Sequence, residues 1–505
     1  MADAAALPSS RTAEQRDAEQ QDIAALAKGG RTNFFGFLLR LGGTAPFLFI
    51  AGRFYGVEAL GRYASALVIV ELVSQVCSLG QRRGLAQRLA EDAREETHSV
   101  ADAMTLSLVV SLLAAGALYA FPAPMFPSGE FNAFDRLLPF AIVTNTLTDV
   151  ALAALAYRYN VGATVRARSV VEPWTQTLAA VGFLFVLPAG GLALSYILAK
   201  LCALVVALVP LFRSYGRPRL WKPNMQRLAR LALTSAPLAG ADMIEWGTRK
   251  LDIALLGFFT SPVAVGIYYA AQQVATLPQK LKTSFEPILG PVITRNLKER
   301  NYAAIAQQVC QVGYWITAAQ AGIALALGIP GKGVMGLVGP QFVAGTGALA
   351  LLLTAEVVAA PAVVSEAALI YMARMRNLYI SLGAIALQGA LTVALMLLAR
   401  QAQAGPLQQA EAAAFALAVA LALSSLVKSK LLARILGAKI TNLRWPLVWA
   451  AAPAALVGFA VKLLPEWLEL SLGIPAILGV YGFVIWRFGF GPEDRLLFRK
   501  QRAVE

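Results

Sequence analysis

Long apolar stretches follow one another from Asn33 almost to the end of the chain. Each holds about 20 residues, and a helix of that length, rising 1.5 Å per residue, crosses the roughly 30 Å hydrocarbon core of a bilayer. The pattern predicts an all-α polytopic membrane protein with about 14 transmembrane helices. The predicted spans are residues 33–52, 61–80, 100–121, 137–157, 169–187, 192–212, 231–259, 263–287, 305–329, 342–372, 378–399, 412–427, 446–464 and 470–486.

The composition agrees with a membrane protein. Of the 505 residues, 58% are hydrophobic and 14% are charged, which lies outside the range of soluble domains. The three cysteines stand alone in apolar segments and His98 is the only histidine, so we expect neither a metal site nor a histidine-based catalytic triad. The net charge of +15 is spread over short loops, which argues against a nucleic-acid binder.

Basic residues collect in every second turn between the spans. Together with the first 31 residues, these turns hold roughly 32 of the 44 basic residues, and one of them carries Arg158, Arg166 and Arg168. Because Lys and Arg are enriched in cytoplasmic loops, we predict that these turns and both termini are cytoplasmic. The longest turn on the opposite side, residues 122–135, is too short for a catalytic domain, so the chain is predicted not to be an enzyme.

Two segments about 205 residues apart share a pattern of glycines and aromatics, GRFYGVEALGRYASA and GFFTSPVAVGIYYAA. The matched pairs are Gly52 with Gly257, Gly61 with Gly266, and Tyr63 with Tyr268. Both segments join the first and second spans of a block of six, so we predict two halves related about the membrane normal, with a cleft between them. The alternative is chance similarity between two glycine-rich turns.

The repeat predicts two pseudo-symmetric six-helix lobes followed by a C-terminal helix pair. The predicted units are a disordered cytoplasmic tail (1–31), an N-lobe with helices 1 to 6 (32–212), a basic cytoplasmic linker (213–230), a C-lobe with helices 7 to 12 (231–432), helices 13 and 14 (433–487), and a basic cytoplasmic tail (488–505).

Many ionisable residues fall inside the predicted spans. A charge at mid-bilayer costs about 2.5 to 3.5 kcal/mol on insertion scales, so such residues normally face a wet cavity or a partner. We assign the basic set to substrate binding: Arg40, Lys200, Arg249, Lys250 and Lys280. We assign the acidic set to ion coupling or charge balance: Glu71, Asp149, Asp242, Glu245, Asp252, Glu356 and Glu366. For Lys280, near the end of its span, snorkelling to the interface is the alternative.

The seventh span carries its charges on one side. Asp242, Glu245, Arg249 and Asp252 recur at helical spacing, and Lys250 lies off this stripe. Such a stripe cannot face lipid, and it predicts either the lining of a polar cleft or an internal salt-bridge cluster that only holds helices together.

A wet cleft lined with fixed positive charge would attract an anion, and a diphosphate fits that requirement. The sequence has no GxxxxGK[ST] phosphate loop, so direct use of ATP is not expected. A GxGxxG pattern at Gly331, Gly333 and Gly336 has no strand before it and is predicted to be a flexible turn. We expect no cofactor and no bound metal.

Two stretches carry a family resemblance. One is GRFYGVEALGRYASALVIVELVSQVCSLGQRRGLAQRLAE, and the other is RKLDIALLGFFTSPVAVGIYYAAQQVATLP, which holds Asp252, Gly257, Gly266 and Tyr268. Over residues 32 to about 487 the chain resembles the Wzx-type O-antigen and exopolysaccharide flippases of the multidrug/oligosaccharidyl-lipid/polysaccharide (MOP) exporter superfamily.

The resemblance implies a bacterial inner-membrane protein that moves undecaprenyl-diphosphate-linked sugar units from the cytoplasmic to the periplasmic leaflet by alternating access. The luminal cations of the family would correspond to Arg40, Lys200, Arg249 and Lys250. The implied partners are the lipid-linked oligosaccharide and membrane lipids, with polysaccharide polymerases and glycosyltransferases as further candidates. We expect a monomer.

Other functions stay open at this point. A lipid II flippase of the same superfamily would also use basic cavity residues, and neighbouring glycosyltransferase genes would distinguish a Wzx-type protein from it. A cation-coupled multidrug exporter would favour an acidic cavity, whereas here basic residues accompany the acids. A polymerase or ligase acting on the same lipid carrier would need an outer catalytic loop that the sequence does not contain.

Overall fold

The structure, a computed structural model, describes residues 39–91, 96–218, 221–282, 293–294, 296–441 and 444–491. The regular secondary structure in these ranges is helical throughout. The helices are α1 (39–50), α2 (Val57–Cys77), α3 (Gln81–Glu91), α4 (Glu96–Ala120), α5 (Phe140–Tyr157), α6 (Val161–Thr164), α7 (Glu172–Val186), α8 (Gly191–Tyr215), α9 (Met225–Phe259), α10 (Pro262–Lys282), α11 (Tyr302–Gly328), α12 (Gly331–Val338), α13 (Thr346–Met372), α14 (Arg374–Gln401), α15 (Pro406–Leu436), α16 (Trp445–Val461), α17 (Glu466–Leu468) and α18 (Ile474–Val484).

The described part confirms a polytopic helical membrane protein. It holds nine segments that are long and apolar enough to cross a bilayer, and α16 is a shorter apolar helix. Each predicted span coincides with a helix wherever it is described. The total of about 14 crossings stays a prediction, and the predicted tail at residues 1–31 lies outside the described residues.

The connections between helices alternate between two ends of the bundle. The basic end holds the turns at residues 78–80, 158–160, 216–218 and 437–441, and the far end holds those at residues 121–139, 187–190, 260–261 and 402–405. This alternation follows from the antiparallel packing of consecutive helices, and it matches the alternation of basic and less basic turns in the sequence.

The apolar core shows how the two lobes meet. One core spans both lobes and includes Tyr63, Tyr268 and Phe342. Toward the basic end it gives way to separate cores, one around Leu155 in the N-lobe and another around Leu432 in the C-lobe. The lobes therefore share one core in the middle and at the far end, whereas near the basic end each lobe has its own core and the start of α9 packs across to the N-lobe.

Helices α2 and α10 form the centre of the contact between the lobes, which we call the seam. A Cβ atom at Gly61 would lie 1.7 Å from the carbonyl oxygen of Pro262, and a Cβ atom at Gly266 would lie 2.2 Å from that of Val57. Each glycine thus faces the residue four positions before the other glycine, which is the reciprocity expected for repeats related by a two-fold axis. The predicted cleft is closed along this stretch, because only glycine allows so close an approach.

Helix α9 connects the lobes. Near its start, Leu228 and Leu231 pack against Leu106 of the N-lobe helix α4. Near its end, Ile253 and Leu256 belong to the core at the seam. The predicted lobe boundary at residue 231 consequently falls inside one continuous helix.

The glycine-rich segment at the far end is helical. The prediction of a flexible turn is wrong, since Gly331–Val338 forms helix α12. A Cβ atom at Gly331 would lie 2.9 Å from the side chain of Thr346, and one at Gly333 would lie 3.3 Å from that of Leu470. The glycines allow close helix packing here and are not used for turn conformations.

Candidate functional site

Four charged side chains and one amide meet in a cluster inside the N-lobe. Lys200 Nζ donates to Glu172 Oε1 at 2.8 Å and to Asn145 Oδ1 at 3.1 Å. Arg168 Nη1 donates to Glu172 Oε2 at 2.8 Å and to Asn145 Oδ1 at 2.9 Å, and its Nη2 pairs with Asp149. Two cations therefore face two carboxylates, and the cluster is neutral when all four groups are ionised.

The local backbone explains why Arg168 and Glu172 point to the same place. They lie four residues apart, where a π-helical stretch, Val165–Val171, runs into α7. Pro173 has no N–H to donate to the preceding turn, which favours a wider helical register there. Such π-turns are frequent at functional sites.

The cluster is largely withdrawn from the surface. The exposed fractions of the side chains are 7% for Lys200, 16% for Glu172 and 19% for Arg168. Buried charges are stable only when they are paired and hydrogen-bonded, and each of these groups meets that requirement. Lys200 and Asp149, which the sequence assigns to separate roles, are therefore parts of one ionic network.

Three tyrosines lead from this cluster to the C-lobe. Lys200 Nζ lies 5.0 Å from the ring centroid of Tyr196, whose ring is 5.9 Å from that of Tyr63 on α2. Tyr63 in turn lies 6.5 Å from Tyr269 on α10, across the seam, and its hydroxyl accepts a hydrogen bond from Gln176 at 2.9 Å. The edge-to-face contacts form a continuous aromatic path between the lobes.

A buried carboxylate lies on the other side of the seam. Asp252 is fully buried, and its Oδ2 accepts hydrogen bonds from Tyr268 Oη at 2.6 Å and from Gln272 Nε2 at 3.0 Å. Both donors come from α10, so the bonds hold α9 against α10. Lys250 is half-buried nearby, with its Nζ 6.0 Å from the ring centroid of Tyr269. The C-lobe therefore places one cation beside the aromatic path.

Asp242 belongs to the contact between α9 and the N-lobe. It is buried, and its Oδ1 lies 3.6 Å from Arg82 Nη2 on α3. Gln81 Nε2 donates to Ser235 Oγ at 3.1 Å in the same region. These bonds join α3 to α9 toward the basic end of the bundle.

The remaining predicted residues lie apart from the N-lobe cluster. Arg40 and Arg249 are exposed, and Glu356 is half-buried on α13. Glu366 accepts a hydrogen bond from the buried Lys428 at 2.9 Å, which ties α13 to α15. The structure thus distributes the predicted set over several places.

Glu71 lies on the same helix as Tyr63, about two turns further along α2, and is half-buried there. The side chains of Glu245 and Lys280 lie outside the described part of the structure. The predicted roles of the basic set in substrate binding and of the acidic set in ion coupling or charge balance stay predictions.

Three members of the N-lobe cluster were not predicted as site residues: Asn145, Arg168 and Glu172. The prediction that Arg168 lies in a turn is wrong, because the π-helical stretch Val165–Val171 carries Arg168 into the cluster beside Glu172. Their separation of four residues is the spacing of a helical ion pair and was a usable indication. Counting basic residues near the ends of predicted spans does not reveal this ion pair, because an arginine at a span end is counted with the turn even when it pairs with a carboxylate inside the bundle. No group of three or more potential metal ligands occurs among the described residues.

Solved transporters share this fold. The lipid II flippase MurJ in an inward closed conformation matches with a TM-score of 0.70 at 12% identity, over 94% of this chain and 100% of that chain. An inward-facing multidrug resistance MATE family transporter of the MOP superfamily matches with a TM-score of 0.63 at 13% identity, over 79% and 94%. A MOP superfamily transporter from Pyrococcus furiosus, described as having a binding pocket of reversed polarity, matches with a TM-score of 0.58 at 11% identity, over 82% and 95%.

The sequence comparisons define the family. No curated protein has a sequence that matches this chain. The family model described as polysaccharide biosynthesis protein matches residues 50–319, which is more than half of the chain. The matched flippase and transporter structures show the fold that this chain shares with them. The chain belongs to this family of polysaccharide biosynthesis proteins.

Proposed function

We propose that the protein is a flippase that translocates undecaprenyl-diphosphate-linked glycan repeat units from the cytoplasmic to the periplasmic leaflet of the bacterial inner membrane. It would serve O-antigen or exopolysaccharide synthesis, as a monomer, with its basic end and both termini in the cytoplasm. The observation that carries the proposal is the presence of cations on both sides of the seam. Lys200 and Arg168 lie in the N-lobe, Lys250 lies in the C-lobe, and tyrosines connect them.

The chemistry of the headgroup fits this arrangement. A diphosphate carries several negative oxygens, and its binding in a medium of low dielectric requires more than one cation. Alternating access would part the lobes first at the basic end and then at the far end. While the seam is open, the headgroup would lie between the lobes, and cations from both lobes would contact it.

Replacing Lys250 with Ala tests the proposal in a strain that lacks the chromosomal gene. Hydrogen bonds to charged groups contribute about 1.5 to 3 kcal/mol, so export of surface polysaccharide should fall by roughly tenfold or more. Lipid-linked glycan should accumulate at the same time. Arg249→Ala tests the cation next to Lys250 on α9 in the same assay.

The matched control is Lys462→Ala, which removes an exposed lysine whose contact is the ring of Phe459 at the far end. This variant should export normally. Equal membrane levels of all variants, measured by immunoblot, separate loss of function from loss of protein. Normal export by both Lys250→Ala and Arg249→Ala would contradict the proposal.

A lipid II flippase is the second candidate. The observation that favours it is the match to MurJ, which covers the whole of that chain with a TM-score of 0.70. Rescue of cells depleted of their own lipid II flippase would support this function. Accumulation of an oligosaccharide on the lipid carrier after gene deletion would support the first proposal instead.

A further inference from the structure

The two carboxylates of the N-lobe cluster are not equivalent. Glu172 reaches both cations, since its two oxygens lie 2.8 Å from Lys200 Nζ and 2.8 Å from Arg168 Nη1. Asp149 pairs with Arg168 alone. A carboxylate that bridges two cations makes the contacts that two oxygens of a phosphate group would make in its place.

We propose that Glu172 is a built-in competitor of the substrate, whose carboxylate holds the binding place of the anionic headgroup while the lobes are closed. The inference rests on the proposed flippase function. When the diphosphate binds, it displaces Glu172 from Lys200 and Arg168. When the headgroup leaves, Glu172 returns to both cations.

The charge balance of the cluster explains why this exchange would be needed. Without Glu172 the cluster would carry one excess positive charge, because Asp149 pairs with Arg168 alone and Lys200 would have no counter-ion. A buried charge of this kind carries a large desolvation cost and would oppose packing of the lobes. With Glu172 in place the cluster is neutral, so the lobes can close with no anion bound. With the headgroup in place the same two cations are paired by phosphate.

Asn145 keeps the cations ready during the exchange. Its Oδ1 accepts hydrogen bonds from Lys200 at 3.1 Å and from Arg168 at 2.9 Å, independently of Glu172. Asn145 is itself buried on α5. We therefore assign it as a positioning residue, which holds both cationic groups when the carboxylate moves away.

The cluster is oriented toward the seam. Gln176 follows Glu172 by one turn of α7 and donates to Tyr63 at the seam, and Tyr196 precedes Lys200 by one turn of α8 and packs on the same tyrosine. The exposed fraction of the Glu172 side chain is 16%, so the bridge is not sealed. An anion that reaches the cluster from the seam would compete with Glu172 for the two cations.

The test measures binding of undecaprenyl diphosphate to the purified full-length protein in lipid nanodiscs, by native mass spectrometry, with undecaprenol as the uncharged probe. Glu172→Gln should bind undecaprenyl diphosphate at least about tenfold more tightly than the wild type, because both cations lose their shared competitor. Asp149→Asn is the matched control. It removes the same charge and leaves the bridge intact, so it should tighten binding less than about threefold.

Glu172→Asp separates bridging from net charge. It keeps the negative charge, but its side chain is one methylene shorter, which withdraws the carboxylate from the two cations that Glu172 contacts at 2.8 Å. Glu172→Asp should therefore also bind more tightly than the wild type. Thermal unfolding in the same nanodiscs shows whether each variant is folded. Asn145→Ala should weaken binding in the Glu172→Gln background, since the freed cations lose their fixed positions.

The outcomes distinguish the inference from the function on which it rests. If the wild type prefers undecaprenyl diphosphate over undecaprenol and Glu172→Gln does not strengthen that preference, the inference is overturned alone. The same holds if Glu172→Gln and Asp149→Asn tighten binding equally, because net charge would then explain both. If neither the wild type nor Glu172→Gln shows the preference, the proposed function falls with it.

Discussion

The contact between α2 and α10 yields the sharpest prediction about how the lobes move. Gly61→Ala adds one methyl group at the seam, where the nearest atom is the carbonyl oxygen of Pro262, 1.7 Å from the new carbon. Because that atom belongs to the backbone, no side-chain rotation can relieve the clash. The helices themselves must separate.

The size of the effect follows from this distance. Ordinary contacts of a Cβ atom begin at 3.4 Å, so α2 and α10 must move apart by about 1.5 to 2 Å. Overpacking of this kind costs about 1 to 3 kcal/mol. We expect the closed seam to be weakened by roughly 5- to 150-fold relative to arrangements in which the far end is open.

Pulsed electron spin resonance between labels at Glu130 and Lys332 reports the opening. Both positions are exposed at the far end, one in each lobe. Gly61→Ala should shift the distance distribution to longer values. Gly266→Ala should do the same, since its Cβ atom would lie 2.2 Å from the carbonyl oxygen of Val57.

Gly116→Ala is the matched control. This glycine is in the interior of α4, and a Cβ atom there would meet no atom within 4 Å. The change should leave the distances unaltered and gain up to about 1 kcal/mol of helix propensity. If Gly61→Ala and Gly116→Ala gave the same distribution as the wild type, the seam would not be the contact that keeps the far end closed.

Two further predictions concern bonds that α9 makes on either side of the seam. Tyr268→Phe removes a hydrogen-bond donor from the buried Asp252 and should destabilise the protein by about 1 to 3 kcal/mol, seen as a lower thermal unfolding temperature. Tyr302→Phe, at an exposed tyrosine, is the control. If both variants unfolded at the wild-type temperature, the bond to Asp252 would contribute nothing to stability. Arg82→Asp should weaken the contact between α3 and α9 and impair export of surface polysaccharide. The double variant Arg82→Asp with Asp242→Arg reverses both charges and should restore part of the export. A double variant that exports no better than Arg82→Asp would rule out direct pairing.

Much of the architecture can be predicted from the chain alone. The length of each apolar run determines whether a helix can cross a bilayer, so the spans coincide with helices wherever the structure describes them. The repeat was also visible, because Gly61 and Gly266 stand at equivalent positions of the two halves. The structure adds that these two glycines form the seam, each against the backbone of the opposite repeat.

The site depended on the tertiary structure. The sequence shows which residues are ionisable, and it correctly treats charges within spans as groups that need partners. It does not show that Lys200 on α8 meets Glu172 on α7, or that Arg168 leaves the basic turn to join them. Hydrophobic periodicity depends on local spacing, whereas an ion pair between helices depends on their relative rotation and depth, which only packing determines.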